Sequence, residues 1–199
     1  ILEAAGKKTA LTSSIRFKFG SEVEKNTTGM TMPGRFFLQR FLRRAVKAGC
    51  QYALVEVTSQ GILQHRHKFI DWDAALLTNL KPEHIEAHGS FENYRQSKLR
   101  LFEDLAEYSR KLPKFFFINE GDPSHQYFAA PAMPEHSDGG RAGAATSAVR
   151  VHYFSREGFI EKELNGGKES IGDWLLSNFN LENAAAANAF TQAQGIDWN

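Results

Sequence analysis

Three short, largely apolar runs, residues 52–57, 73–78 and 114–118, are separated by stretches with helical periodicity. A continuous apolar run of this length suits a strand with both faces covered. Strands separated by helices can pair in parallel through crossover connections. The pattern predicts an α/β fold: a mostly parallel sheet with flanking helices. In residues 35–48 the apolar positions Leu38, Phe41, Leu42 and Ala45 recur at helical spacing, and Gly49 ends the run. Residues 9–19 read as strand, with Ser13 and Ser14 between two apolar stretches, and residues 20–34 read as a loop rich in turn formers. Residues 149–154 and 159–164, with Gly158 between them, read as a small antiparallel hairpin. Residues 180–194 read as an Ala-rich helix, and the Gly-, Ala- and Ser-rich residues 137–148 as a loop.

The chain has 199 residues, which suits one α/β domain. It opens on Ile1-Leu2-Glu3-Ala4-Ala5-Gly6, which reads as a helix end with a glycine stop, so the chain is expected to be truncated before Ile1. Lys plus Arg number 24 against 23 for Asp plus Glu, which removes any whole-chain electrostatic case for nucleic acid or an anionic membrane. The single cysteine, Cys50, excludes a disulfide within the chain and fits a reducing, cytoplasmic setting. No apolar run reaches the length of a membrane span, so membrane insertion is not expected.

Ligands of open parallel sheets bind beyond the C-terminal ends of the strands. Three such ends carry polar groups here: Glu56-Val57-Thr58-Ser59-Gln60-Gly61; Thr78-Asn79-Leu80 running on to Glu83-His84; and Asn119-Glu120-Gly121-Asp122. Each alone is more often explained by capping or solvation than by catalysis. Residues 91–110 form a helix that Ser90 can cap, with a stripe through Phe91, Tyr94, position 98, Leu101, Leu105 and Tyr108. Position 98 is a lysine in the middle of that stripe. Either its stem packs while its tip reaches water, or its chemistry is changed. The basic residues of 40–47 suit the solvated face of an amphipathic helix. Gly6-Lys7-Lys8-Thr9 fails the phosphate-loop template, because Lys8 stands where Ser or Thr is required and position 1 is Ile.

The strings Asn26-Thr27-Thr28, EVTSQG at 56–61, QHR at 64–66, TNLKPEHIEAHGSFENYRQSKLRLF at 78–102 and FNLEN at 179–183 resemble the Mur ligases in order and spacing. The likeness is nearest to the branch that adds the third residue of the cell-wall peptide. It covers nearly the whole chain, residues 1–199, as that family's central, P-loop-NTPase-like domain, with the UDP-binding and amino-acid-binding domains outside it.

The resemblance implies an ATP-dependent ligase of peptidoglycan precursor synthesis using Mg²⁺. Its partners would be UDP-MurNAc-L-Ala-D-Glu and an amino acid, and the full-length enzyme would be monomeric. The substrate carboxylate would attack the γ-phosphate to give an acyl phosphate, and the incoming amine would then displace phosphate. Glu56 is implied as a Mg²⁺ carboxylate, His84 as a ligand of a second Mg²⁺, and Lys98 as a carbamylated lysine supporting that metal. Asn26, Thr27, Thr28, Thr58, Gln64 and Arg66 are implied as contacts to the UDP-MurNAc-peptide, and Asn180 and Asn183 as readers of adenine. Thr58 stands where members often carry Ser, and Glu83 and Glu86 where Asp is usual. Two alternatives stay open: a superfamily relative such as a folylpolyglutamate or cyanophycin synthetase, and a non-catalytic domain that keeps the fold.

Overall fold

In a computed structural model of the chain, which describes residues 1–82, 85–133, 149–164, 175 and 177–196, the strands fall into two sheets. Each sheet belongs to its own compact unit: residues 1–70 with 86–100, and residues 71–85 with 101–199.

The first sheet contains β1 (Thr9–Thr12), β2 (Arg16–Phe19), β3 (Glu22–Lys25) and β4 (Tyr52–Val55), in the order β3-β2-β1-β4. β1 runs antiparallel to β2, and β2 to β3, while β1 and β4 are parallel. The turn into β3 takes Gly20 at φ +64, a left-handed conformation that costs a glycine little. Helix α1 (Arg35–Lys47) connects towards β4 and covers one face: Phe41 and Ala45 bury against Ala10, Phe17 and Phe19, with the Phe19 and Phe41 rings 4.8 Å apart.

Short helices follow. α2 (Ser59–Leu63) begins just past β4, and α3 (Ile85–His88) leads into the long α4 (Phe91–Tyr108). The first ten residues of α4 belong to this unit and the remainder to the other.

The second sheet is all parallel, in the order β5-β6-β7: β5 (Ala74–Leu77), β6 (Lys114–Asn119) and β7 (Val149–Phe154). Phe116, Phe117 and Ile118 of the central strand are fully buried. On one side Phe102 of α4 meets Phe116 and Phe128 edge-on, at 4.9 and 5.2 Å, with Phe128 from α5 (His125–Ala129). Elsewhere Phe117 and Phe154 join a core with Phe159 of α6 (Arg156–Glu163) and Leu181, Ala185 and Ala186 of α7 (Asn178–Ala193).

The α/β class and the parallel pairings follow the sequence reading, with three differences. Residues 159–163 are helical, with Leu164 as the C-cap, and form no hairpin with 149–154: Ser155 caps the helix by accepting from Gly158 N at 3.2 Å, so Gly158 lies in the first turn of α6. The antiparallel part of the fold is β1–β3, of which β3 lies inside the segment read as a loop. β4 is not buried on both faces: Leu54 is 43% exposed, and among the described residues β4 pairs with β1 alone. Residues 137–148 lie outside the described residues.

Candidate active site

Pairing of β1 with β4 aligns Thr12 with Val55, so the residues just past both strands meet. Glu56 N donates to Thr12 O at 3.0 Å, which carries the ladder one step further. The exposed Glu56 carboxylate then accepts from Ser14 N at 2.9 Å and from Ser14 Oγ at 3.2 Å. Ser14 Oγ also lies 3.0 Å from Thr31 Oγ1. Ser14 and Thr31 were missed by the sequence reading. Their only local signal is a serine directly after a strand, which is common. A carboxylate offers about four acceptor positions, so Glu56 keeps acceptor capacity facing solvent.

Two residues on, Thr58 serves as the N-cap of α2: its Oγ1 accepts from Gly61 N at 3.0 Å. Gly61 packs so tightly on Met32 that a Cβ there would collide with the Met32 sulfur. The helix ends in a left-handed turn. Arg66 N donates to Gly61 O at 2.9 Å across His65 at φ +53, a conformation that costs a non-glycine residue on the order of 1 kcal/mol. The turn sets Gln64 and Arg66 side by side. The Arg66 guanidinium donates to Gln64 Oε1, to Met32 O and, at 3.4 Å, to Met30 Sδ, three of its five N–H groups, and the residue is half-buried. The rest of the fork can serve a carboxylate or phosphate.

The loop before α1 is organised by Asn26. Its amide donates to Ser13 O and Met30 O, both at 2.8 Å, and its Oδ1 accepts from Thr28 N at 2.9 Å and Thr28 Oγ1 at 2.7 Å. Those four bonds fill the amide, so Asn26 builds the loop and has no hydrogen bond left for a ligand. Thr28 bonds within the same turn, and Thr27 is exposed.

Lys98 occupies the middle of the α4 face that buries Tyr94, Ser97, Phe102 and Leu105, yet is itself half-buried. Its Nζ lies 4.9 Å from the centroid of the Tyr94 ring, a cation–π contact. Tyr94 is met edge-on by the His88 ring at 5.3 Å, and His88 Nε2 lies 3.0 Å from Ser59 Oγ, at the start of α2.

The first unit thus carries Asn26, Thr27, Thr28, Glu56, Thr58, Gln64, Arg66 and Lys98. His84 lies outside the described residues, and among those described no three His, Cys, Asp or Glu side chains form a metal-binding group. Asn180 and Asn183, both half-buried, sit in the first two turns of α7 in the second unit, where Ser177 caps the helix by accepting from Asn180 N. Among the described residues no helix is long and apolar enough to cross a membrane.

Comparison with known proteins bears on this arrangement. The family model "Mur ligase middle domain" matches residues 1–191. A UDP-N-acetylmuramyl-tripeptide synthetase of Roseiflexus sp. (strain RS-1) is 32% identical over 213 residues, covering 98% of this chain and 40% of the relative. A UDP-N-acetylmuramoyl-L-alanyl-D-glutamate–2,6-diaminopimelate ligase of Geobacillus kaustophilus (strain HTA426) is 32% identical over 200 residues, with the same coverage of 98% and 40%. A solved structure of a ligase of that second kind shares the fold, with a TM-score of 0.70 at 21% identity over 98% of this chain and 39% of that one. The chain spans about 40% of the length of the curated relatives it matches. With the family's domain model matched from Ile1 through Thr191, this chain belongs to the Mur ligases, and what it carries is their middle domain.

Proposed function

We propose that this chain is the nucleotide- and metal-handling part of a cytoplasmic, ATP-dependent ligase that adds the third amino acid to UDP-MurNAc-L-Ala-D-Glu. The observation that carries the reading is the placement of Glu56. Its carboxylate stands past the aligned ends of two parallel strands, held by Ser14 and still able to accept. Relatives named for this step support the choice of substrate.

The donor set fits Mg²⁺, which prefers oxygen ligands and takes one or two carboxylates together with phosphate oxygens. Glu56 would supply one carboxylate. Lys98, once converted to a carbamate by CO₂, would supply a second anion, and His84 would complete the set. Bound Mg²⁺ supplies charge neutralisation at the phosphoryl oxygens of ATP. The protein's own groups do the rest. Ser14 fixes the direction of the Glu56 carboxylate. Arg66, with Gln64 and Thr58, holds the UDP-MurNAc-peptide through its acidic groups, so that the reacting carboxylate is presented to the γ-phosphate. Thr27 reaches the same substrate from the loop that Asn26 and Thr28 build. Asn180 and Asn183 read the adenine. The carboxylate displaces ADP to form an acyl phosphate. The incoming amine then attacks the acyl carbon, loses its proton and releases phosphate.

Lys98→Arg decides the matter. Guanidinium cannot take up CO₂ in this way and keeps a positive charge. The chain equilibrated with ¹³C-bicarbonate should show one carbamate carbon signal by NMR that is absent from Lys98→Arg. The complete ligase carrying Lys98→Arg should lose turnover on the order of a hundredfold or more at saturating ATP and Mg²⁺. Wild-type turnover in that variant would overturn the assignment of Lys98.

A further inference from the structure

The mechanism above gives the buried imidazole of His88 no role. His88, the last residue of α3, is 9% exposed. One of its ring nitrogens, Nε2, lies 3.0 Å from the hydroxyl of Ser59, itself 5% exposed, and either atom can donate. Its carbonyl accepts from Asn93 Nδ2 at 3.0 Å, across Gly89 at φ +77. Its ring meets Tyr94 at 5.3 Å and 61°, and the Tyr94 ring carries the Lys98 ammonium at 4.9 Å. Ser59 is the first residue of α2, next to the cap Thr58 and three residues past Glu56. A chain of side-chain contacts therefore runs from the start of α2 through His88 and Tyr94 to Lys98, all within the first unit.

We propose that His88 is a positioning residue for Lys98, acting through the tilt of the Tyr94 ring and anchored by Ser59. A cation is attracted to the face of an aromatic ring and not to its edge, so the direction in which the ring faces sets where the ammonium rests. The edge-on imidazole restricts the rotation of Tyr94. The Ser59 hydroxyl in turn holds the imidazole, since a ring nitrogen bonded to a buried partner cannot turn without losing that bond. Lysine has a long, freely rotating stem and no fork geometry of its own, so a fixed ring face is what gives its amine a defined place. The consequence for catalysis rests on the reading of Lys98 as the modified lysine. The Tyr94 face attracts the ammonium and would repel a carbamate, which is an anion. Modification would release the side chain from the ring.

The contact chain is tested on the 199-residue chain by NMR, through the ε-methylene signals of Lys98, assigned by their loss in Lys98→Arg. Protons above an aromatic face are displaced upfield by its ring current. Tyr94→Leu should abolish the displacement and Tyr94→Phe should keep it. Ser59→Ala and His88→Phe should reduce it by about twofold or more, as the Tyr94 ring loses its restraint. Ser59→Thr, which keeps a hydroxyl, should retain the wild-type signal. If Ser59→Ala and His88→Phe lower the melting temperature but leave the Lys98 signals where they were, His88 only fills space and the proposal is overturned. An unchanged signal in Tyr94→Leu overturns it as well. Should His88→Phe fail to fold, the smaller change Ser59→Ala decides alone. Failure of the carbamate reading is distinguishable: the wild-type chain would then give no ¹³C-bicarbonate signal, while the ring-current series would still report the contact chain.

Discussion

Arg66 shows how much one side chain can be asked to do. Its guanidinium holds Met32 O and Gln64 Oε1, which couples the loop before α1 to the end of α2. In the proposed function the same fork also binds an acidic group of the UDP-MurNAc-peptide. Losing one charge-assisted contact costs roughly 1.5–3 kcal/mol, or about ten- to a hundredfold in affinity. Arg66→Ala in the complete ligase should therefore weaken the UDP-MurNAc-peptide by that factor and leave ATP nearly unaffected. Arg66→Lys should recover little, because a single ammonium cannot hold Met32, Gln64 and a ligand together. Calorimetric titration of both ligands checks this; equal losses for the two would remove Arg66 from the acceptor site. Asn26 is the contrasting case. The string Asn26-Thr27-Thr28 was legible as a motif, but that its amide is filled by Ser13, Met30 and Thr28 was not, since those bonds depend on where residues 13 and 30 come to rest.

At the scale of elements, the junction of α4 and β6 carries an unusual group. Lys114, the first residue of β6, is 1% exposed, and its ammonium donates to Ala106 O at 2.6 Å. Ala106 lies in the last turn of α4, where carbonyls lack partners within the helix and a cation is favoured. Burial pushes the Lys114 amine below its ordinary pKa, while the helix end offers compensation. Lys114→Met keeps the packed stem but loses the bond and should cost about 1–2 kcal/mol, whereas Lys114→Ala also empties the space and should cost about 3 kcal/mol or more. Urea titrations of both variants measure the difference. A Met variant as stable as wild type would show that the cation contributes nothing at this helix end. The capping of α6 belongs to the same scale. Ser155 and Gly158 were visible in the sequence, but serine three residues before glycine suits a turn between strands as well as a helix start. The apolar positions 159 and 160 did not separate the two, because Phe159 is buried against Leu181 and its neighbours in α7, far along the chain.

For the molecule as a whole, acid sensitivity should come in two windows. His152 on β7 stacks on Phe117 at 5.1 Å, and burial, with Arg150 nearby as a lesser cause, lowers its pKa below the ordinary 6.5. The folded state then binds fewer protons than the unfolded state, so stability is constant above about pH 6.5 and falls as the pH drops through that value. Glu24, Asp71 and Glu157 carry depressed pKa values from bonds to Arg44, Arg110 and, for Glu157, its own backbone followed by Arg156. Their contributions are present above about pH 4.5 and lost only below it. Melting temperatures followed from pH 8 to 3 should show both declines. His152→Phe, which keeps a ring on Phe117, should remove the first and leave the second. A first decline that persists in that variant would assign it to another group.

What the sequence determined by itself was local and periodic. The strand cores, the helices at 35–47 and 91–108, and the family motifs around Glu56, Gln64, Arg66 and Lys98 are written in spacing and in adjacent residues. The placement of Lys98 in the middle of a buried face also follows from helix geometry alone. Tertiary structure decided which strands have two neighbours, since β4 and β6 both read as apolar strands but among the described residues only β6 is paired on each side. It likewise decided which polar groups are already paired: Glu56 to Ser14, Asn26 to its own loop, His88 to Ser59. Periodicity reports the direction of a side chain relative to its own element, whereas a hydrogen bond or an edge depends on what chain folding brings opposite, from residues tens of positions away.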